Sequence, residues 1–195
     1  EFGYTIKMLG IARHHGEEDG GYIDARVHPV MIPKNHPLAT VRDSHNAVYV
    51  EGNAVEKTMF YGRGAGALPT GSAIVGDIIQ AARNIVHNCK ARWGCTCYLN
   101  LPVLPIDEVE SKYYVRICVY DTVGVLAALA TALTENNISV DAVIQKRKIS
   151  DDKAEIVIIT YKVRHADMMA ALKAIGDLDC TYEVSDYIRV EEDED

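Results

Sequence analysis

The second half of the chain carries the pattern that most narrows the possible folds. Apolar and polar residues alternate, as in half-buried strands, over residues 113–120, 138–146, 154–163 and 180–190. Two other segments, residues 125–135 and 166–175, repeat apolar side chains every three or four positions, as helices do. The predicted order is therefore strand, helix, strand, strand, helix, strand.

That order is the ferredoxin-like plan, and it predicts an α+β fold with a four-stranded antiparallel sheet and two helices on one face. The other face of such a sheet is bare unless it meets a partner. We therefore expect pairing with another copy or another domain, and hence a homo-oligomer.

The first half predicts a mixed sheet with one helix. Strands are expected at residues 1–12 and 22–32, joined by a polar turn, and at residues 46–51 and 57–61. An amphipathic helix is expected at residues 73–87, and its wide apolar face predicts packing against a sheet.

Composition shifts predict how the chain divides. The segment after the helix contains Pro102 and Pro105 and lacks a helical period. We predict one domain at residues 1–102, a linker at 103–111, a second domain at 112–190 and a disordered acidic tail at 191–195.

A glycine-rich loop lies between the last of the early strands and the predicted helix. Gly62, Gly64 and Gly66 alternate with other residues, and Pro69 and Thr70 follow. Glycine allows a ligand to approach the main chain closely, and a helix start offers unpaired N–H groups. The loop could therefore seat an anion or a flat cofactor edge, although an ordinary strand-to-helix turn has the same pattern.

The loop does not meet the requirements of a dinucleotide-binding fingerprint. That fingerprint needs a strand–helix–strand unit with an acidic residue about 20 positions further on. Here residues 86–88 are Val-His-Asn and still follow the helical pattern. A nucleotide at this loop would need a nucleotide domain elsewhere.

Charge and cysteine content set further limits. Five of the net −8 charges fall in residues 191–195, and the acidic balance argues against nucleic-acid binding. No apolar run is long enough to span a bilayer, and the N-terminus does not resemble a signal peptide. The odd number of cysteines favours reduced thiols in a cytoplasmic protein. His87, Cys89, Cys95 and Cys97 cluster without the usual zinc spacing, so no metal site is predicted.

Several segments of the first half resemble the C-terminal part of the homoserine dehydrogenase catalytic domain. They are residues 26–29, 32–34, 36–39, 46–48, 50–52, 61–66 and 68–70. Residues 112–190 resemble an ACT domain, a small amino-acid-sensing module. The resemblance implies NAD- or NADP-dependent interconversion of L-aspartate 4-semialdehyde and L-homoserine, on the route to threonine, methionine and isoleucine.

The resemblance also implies roles for particular residues. In the family the glycine loop lies beside the nicotinamide, so Gly62, Gly64, Ala65 and Gly66 are the expected cofactor-binding residues. The family's nicotinamide domain and catalytic lysine precede the matching region, so no catalytic residue is assigned here and this chain is expected to be inactive alone.

In the ACT part, the resemblance places an amino-acid effector, threonine for this family, at the turn after the first strand and the start of the second. The matching positions are Asp121, Gly124, Val125, Leu126, Asn137 and Ile138. A cap formed by Asp121 and an ordinary turn would give the same pattern. The alternative function is a regulatory or dimerisation module that has no catalytic activity.

Overall fold

The computed structural model describes residues 2–16, 20–89, 99–145 and 152–192, and these residues fold as two units. The first unit joins residues 1–33 to residues 101–195, and the second comprises residues 34–100. This grouping differs from the predicted division near residue 103, because Val30 and Met31 pair with the last strand of the chain.

The first unit is built on one sheet. Its strands are β1 (Tyr4–His15), β2 (Tyr22–Pro33), β5 (Glu110–Tyr120), β6 (Val140–Gln145), β7 (Lys153–Thr160), β8 (Val163–Arg164) and β9 (Thr181–Val190). The sheet order is β1-β2-β9-β5-β7-β6, and the short β8 pairs with the beginning of β5. The last four positions of this order, β9-β5-β7-β6, are the arrangement of a ferredoxin-like sheet, and the α+β prediction is confirmed.

Two helices, α2 (Val125–Glu135) and α3 (His165–Gly176), cover one face of this sheet. Alternate residues of β5 point into the core they form, with Tyr113 and Ile117 fully buried. Leu129 of α2 and Ile175 of α3 pack in the same cluster. Burying each such side chain stabilises the fold by about 2 kcal/mol, so the alternation predicted from sequence is what fixes this unit.

The hairpin of β1 and β2 extends the sheet at β9. β1 and β2 pair antiparallel along their whole length, as predicted, although β1 runs from residue 4 to residue 15. β2 then pairs parallel to β9 at only two positions, Val30 with Arg189 and Met31 with Val190. The Glu191 N–H continues this pairing by donating to the Met31 carbonyl at 2.9 Å.

The predicted acidic tail starts at residue 191, and its first two residues form ion pairs in the structure. Glu191 accepts hydrogen bonds from Arg13 and Arg26, and Glu192 pairs with Lys112 at 2.7 Å. These basic groups lie on the hairpin and on β5, so the carboxylates are fixed where β9 ends. Residues 193–195 lie outside the described residues.

The second unit contains a hairpin and one long helix. β3 (His45–Gly52) and β4 (Glu56–Arg63) pair antiparallel, and α1 (Ala67–Val86) follows the glycine loop. A short 3-10 turn, Pro37–Thr40, precedes the hairpin. α1 begins six residues earlier than predicted, and Pro69 occupies its third position. Proline is tolerated there because the first N–H groups of a helix have no intrahelical acceptor.

The prediction that α1 packs against a sheet is wrong for this structure. The structure describes all 20 residues of α1, and none of them is buried. Ile74 and Ile78 on its apolar face are more than half exposed. Amphipathicity predicted the helix correctly, but it could not show which surface the apolar face would cover.

Candidate functional site

The glycine loop is exposed and runs from the end of β4 to the start of α1. Gly62 pairs with Asn46 in the hairpin, and the Gly64 N–H donates to the Ser44 carbonyl at 3.0 Å. Gly62, Gly64, Ala65 and Gly66 all lie on the surface. The loop is therefore open to an approaching group, as the prediction of a cofactor contact requires.

The three glycines are needed for different reasons. A Cβ at Gly64 would lie 1.8 Å from the amide nitrogen of Asn46, so this glycine makes room for a side chain of the same unit. A Cβ at Gly62 would meet nothing within 4 Å. Gly66 has φ of +133°, a region that favours glycine, and it forms the N-cap of α1 without a side-chain hydrogen bond.

This geometry fits the edge of a nicotinamide ring at two of the four predicted positions. Gly62 leaves open space above the main chain, and Gly66 presents the uncapped start of α1. Gly64 is explained by its packing against Asn46, and Ala65 is exposed. A bound nicotinamide would supply hydride chemistry, while these residues could only position its edge.

The turn after β5 forms a cavity of about 180 Å³, and four predicted effector residues line it. These four are Asp121, Gly124, Val125 and Leu126. Gly124 has φ of +95° and is the N-cap of α2, with no side-chain cap hydrogen bond. The Asp121 N–H donates to the Asp152 carbonyl at 2.9 Å, which holds the turn against the start of β7.

The start of α2 leaves backbone donors at this cavity. The first intrahelical bond runs from the Ala128 N–H to the Gly124 carbonyl at 3.0 Å. The N–H groups of Val125, Leu126 and Ala127 precede it, and all three residues line the cavity. Unpaired N–H groups at a helix start attract carboxylates, so the arrangement suits the carboxylate of an amino acid.

Asn137 and Ile138, the other two predicted effector residues, lie elsewhere. They follow the opposite end of α2, an 11-residue helix about 16 Å long at 1.5 Å per residue. Asn137 adopts φ of +56°, and the Ile138 N–H donates to the Leu133 carbonyl at 3.0 Å. Ile138 is buried in the core of its own unit. One chain therefore does not bring these two residues to the turn cavity.

Sequence reasoning missed residues that do line the turn cavity. Gln145 closes it from the end of β6, and Ile156 from β7. Both β5 and β6 pair antiparallel with β7, so they run parallel and their C-terminal ends share an edge of the sheet. The strand order predicted from sequence already implied that neighbourhood.

A second group of polar residues surrounds the junction of the hairpin with β9. Arg26 is buried and pairs with Asp24 and with Glu191, whose carboxylate also binds Arg13 at 2.6 Å. Burial alone would raise the pKa of Glu191, but the two arginines outweigh it and lower that pKa. Glu191 therefore stays ionised, and it ties both strands of the hairpin to the end of β9.

Burial perturbs two histidines near this junction. The Arg26 Nε–H donates to His28 Nε2 at 3.0 Å, and burial lowers the pKa of His28. Arg189 donates to Tyr113 Oη and to His165 Nδ1, at 3.2 Å and 3.1 Å. Burial, with the charge of Arg189, lowers the pKa of His165. Both imidazoles are therefore held neutral beside arginines.

The cluster of His87, Cys89, Cys95 and Cys97 is placed only in part. The Cys89 thiol donates to the His87 carbonyl at 3.5 Å, and both residues are exposed. Cys95 and Cys97 lie outside the described residues. Within the described ranges, no three His, Cys, Asp or Glu side chains gather as a metal site, and no helix is long and apolar enough to cross a membrane.

Two family models match the chain. Residues 1–79, which include the glycine loop, match the homoserine dehydrogenase family, and residues 113–180, which include the turn cavity, match the ACT domain. Among curated proteins, homoserine dehydrogenase from Neisseria gonorrhoeae is 40% identical over 98% of this chain and 44% of its own length. Homoserine dehydrogenase from Corynebacterium glutamicum is 38% identical over 98% of this chain and 42% of its own length.

Solved structures give the same result. A homoserine dehydrogenase from Thiobacillus denitrificans matches with a TM-score of 0.83 and 35% identity, over 97% of this chain and 43% of that one. Homoserine dehydrogenase from S. aureus matches with a TM-score of 0.58 and 28% identity, over 97% of this chain and 42% of that one. The chain thus spans less than half the length of these relatives. This chain is therefore similar to homoserine dehydrogenases over nearly its whole length, with a segment that matches their family model followed by a segment that matches an ACT domain.

Proposed function

We propose that this chain is the C-terminal part of an NAD- or NADP-dependent homoserine dehydrogenase whose activity is regulated by an amino acid. The whole enzyme would interconvert L-aspartate 4-semialdehyde and L-homoserine, in a cytoplasmic pathway to threonine, methionine and isoleucine. The observation that carries the proposal is the match of one chain to both family models. Relatives named homoserine dehydrogenase match nearly the whole chain, including the segment between the two models.

In this proposal the glycine loop touches the nicotinamide edge of a cofactor that another domain binds. Its exposed position and the open space at Gly62 support that role. Hydride transfer also needs a bound cofactor and a positioned acid–base group. The described residues contain no strand–helix–strand dinucleotide unit, so this chain alone is expected to show no turnover.

The test of that expectation is an assay of the isolated chain with L-homoserine and NADP or NAD. We expect no cofactor reduction above the rate without protein. Measurable turnover that increases with protein concentration would show that the chain carries its own catalytic machinery.

The regulatory part of the proposal places an amino acid, threonine as the first candidate, in the turn cavity. Its volume of about 180 Å³ suits a ligand of that size, and the first N–H groups of α2 would bind the ligand carboxylate. A carboxylate introduced beside those N–H groups should repel the ligand. Leu126 is suitable for this change because it lines the cavity and its side chain is half exposed.

Titration calorimetry with L-threonine tests the site directly. Leu126→Glu should lower the affinity at least about tenfold, or about 1.4 kcal/mol, since a like charge about 4 Å away costs about 4 kcal/mol at an effective dielectric constant near 20. Ala130→Glu is the matched control, because it adds the same charge one turn further along α2 and outside the cavity. Equal affinities of the two variants would reject this cavity as the threonine site.

A homo-oligomer would account for the two effector residues that one chain keeps apart. Asn137 and Ile138 lie at the far end of α2, so a second copy would have to bring them to the turn cavity. Sedimentation of the chain with and without L-threonine tests this arrangement. A monomer under both conditions would contradict it.

A further inference from the structure

A second cavity of the first unit has no role in the proposal above. It has a volume of about 870 Å³ and lies where the hairpin of β1 and β2 meets β9 and the beginning of β5. We call it the junction cavity, and Asp24, Val103, Glu110, Ser111, Val190 and Glu191 are among the residues that line it. We propose that the junction cavity binds an α-amino acid with an apolar side chain, at a site separate from the turn cavity.

Two polar atoms of the cavity lining are buried without a partner. Asp24 and Ser111 are each 4% exposed, and the structure gives no hydrogen bond to Asp24 Oδ1 or to Ser111 Oγ. Asp24 binds Arg26 through its other carboxylate oxygen only. Buried polar groups are normally hydrogen-bonded, and each exception needs an explanation. A ligand ammonium would supply the donors that both atoms lack.

Charges around the cavity select the class of ligand. The lining carries both signs, with five carboxylates and four basic side chains, namely Asp24, Glu108, Glu110, Glu191, Glu192, Arg13, Lys112, Lys162 and Arg164. Five carboxylates would repel a polyanion such as a nucleotide. A zwitterion meets both signs, so the lining favours a ligand that carries an ammonium and a carboxylate together.

The existing ion pairs indicate where the ammonium would bind. Glu191 is paired with Arg13 and Arg26, and Glu192 with Lys112. Within the described part of the chain, Glu108 and Glu110 form no ion pair shorter than 4.0 Å. Both side chains are exposed and act on Arg164, so Asp24 Oδ1 and Ser111 Oγ are the buried acceptors of the lining that the chain itself leaves unused.

The remaining wall suits an apolar side chain. Val103 lines the cavity and is 61% exposed, and Leu104, Pro105 and Val190 continue the apolar surface. Ligand sites combine such apolar walls with a few convergent polar groups, and their volumes run from about 300 to 1,000 Å³. The junction cavity therefore has the composition and the size of a small-molecule site.

The decisive measurement compares L-leucine with two analogues that each lack one charge. Calorimetry of the full chain would use L-leucine, 3-methylbutylamine and 4-methylpentanoate, each at up to about 10 mM. We expect L-leucine to bind, and each analogue to bind at least about tenfold more weakly, because each leaves one set of charges unpaired. The absence of L-leucine binding, or binding of one analogue as tight as that of L-leucine, would overturn the proposal.

Ser111→Ala tests the position of the ligand. A lost hydrogen bond should lower L-leucine affinity about fivefold. Without ligand the variant should be at least as heat-stable as the original chain, because it removes an unpaired buried hydroxyl. Ser185→Ala is the matched control, since Ser185 lies outside the lining and bonds to Cys118. Equal L-leucine affinity of the Ser111→Ala variant and the original chain would overturn the assignment.

The Leu126→Glu variant separates this proposal from regulation at the turn cavity. We expect it to bind L-leucine normally while it loses threonine. If Leu126→Glu abolishes L-leucine binding and Ser111→Ala does not, L-leucine binds in the turn cavity and the junction cavity has no ligand of this class. Regulation through the turn cavity would stand in that case.

Discussion

Arg26 and Arg13 bind the same carboxylate, yet their surroundings lead to different contributions to the stability of the fold. Both donate to Glu191, but the Arg26 side chain is 4% exposed and that of Arg13 is 43% exposed. Burial also lowers the pKa of Arg26, against the opposing effect of Glu191. Removing one partner of a buried pair leaves an uncompensated charge, whereas an exposed pair contributes little.

Arg26→Met should therefore lower the free energy of unfolding by about 3–5 kcal/mol, because Asp24 and Glu191 lose their buried partner. Arg13→Met, the matched control, should cost less than about 1 kcal/mol. Urea denaturation measures both. A similar decrease in the free energy of unfolding of the two variants would contradict the different contributions assigned to the two ion pairs.

Gly64 and Gly62 provide a second contrast between single residues. An alanine Cβ at position 64 would collide with the Asn46 side chain, whereas at position 62 it meets open space. Gly64→Ala should cost about 1–3 kcal/mol through overpacking, and Gly62→Ala less than about 0.5 kcal/mol. Thermal unfolding would show this, and adding Asn46→Ala to Gly64→Ala should restore most of the loss. No recovery in the double variant would mean that the cost has another origin.

At the scale of elements, the start of α2 shows how far sequence patterns reach. The strand-turn-helix pattern placed Gly124 at the turn, and the structure gives it φ of +95° as the N-cap. Gln145 could be inferred only from the order of strands, because it lies 21 positions later in the chain. Local patterns therefore predicted the turn, and the residues that close the cavity depend on tertiary pairing.

Substitutions at Gly124 should follow the cost of a left-handed backbone. Gly124→Ala is expected to destabilise by about 1 kcal/mol, and Gly124→Asn by less, because asparagine tolerates positive φ better than alanine does. The open space around Gly124 rules out a steric cause for either change. Thermal unfolding of both variants gives the comparison. A Gly124→Asn variant less stable than Gly124→Ala would contradict this explanation.

The helix α1 marks the limit of such predictions. Its apolar positions predicted an amphipathic helix, yet its apolar face is exposed in the part of the chain described here. The sequence states which residues avoid water, but the partner surface comes from residues that are distant in the chain or on another chain. Pro69 shows the same limit at the start of α1, because a proline can begin a helix as well as end one.

At the scale of the whole molecule, stability should depend on pH. Burial and the neighbouring arginines lower the pKa of His28 and His165 in the folded protein. Groups with a depressed basic pKa favour the folded state above their unfolded pKa, near 6.5, and this stability is lost as pH falls. The lowered pKa of Glu191 adds a further loss at more acidic pH.

We therefore expect the urea concentration at the unfolding midpoint to decrease when the pH is lowered from 7.5 to 5.5. His165→Gln should reduce this fall, because glutamine can accept from Tyr113 and Arg189 without titrating. His87→Gln is the control, since His87 is exposed at the end of α1. A midpoint independent of pH in this range would contradict the environments assigned to the two histidines.

The ferredoxin-like half was predictable from sequence because its periodic strands and helices pack against each other. The attachment of the hairpin to β9 was not predictable, since it depends on two backbone pairs and on Glu191 and Glu192. In the sequence, those two carboxylates belong to a run of five acidic residues, a pattern that is typical of disordered segments. Arg13, Arg26, Lys112 and Tyr4 become their partners only when the chain is folded.

The narrow β2–β9 joint has a consequence for ionic strength. Because β2 and β9 pair at only two positions, ion pairs between side chains contribute much of the stability of this joint. In about 1 M salt the Debye length shrinks to about 3 Å, which weakens the exposed Arg13–Glu191 ion pair more than the buried Arg26–Glu191 ion pair. High salt should therefore weaken the Arg13–Glu191 pair and leave the Arg26–Glu191 pair in place, so that the hairpin stays attached to the ferredoxin-like sheet.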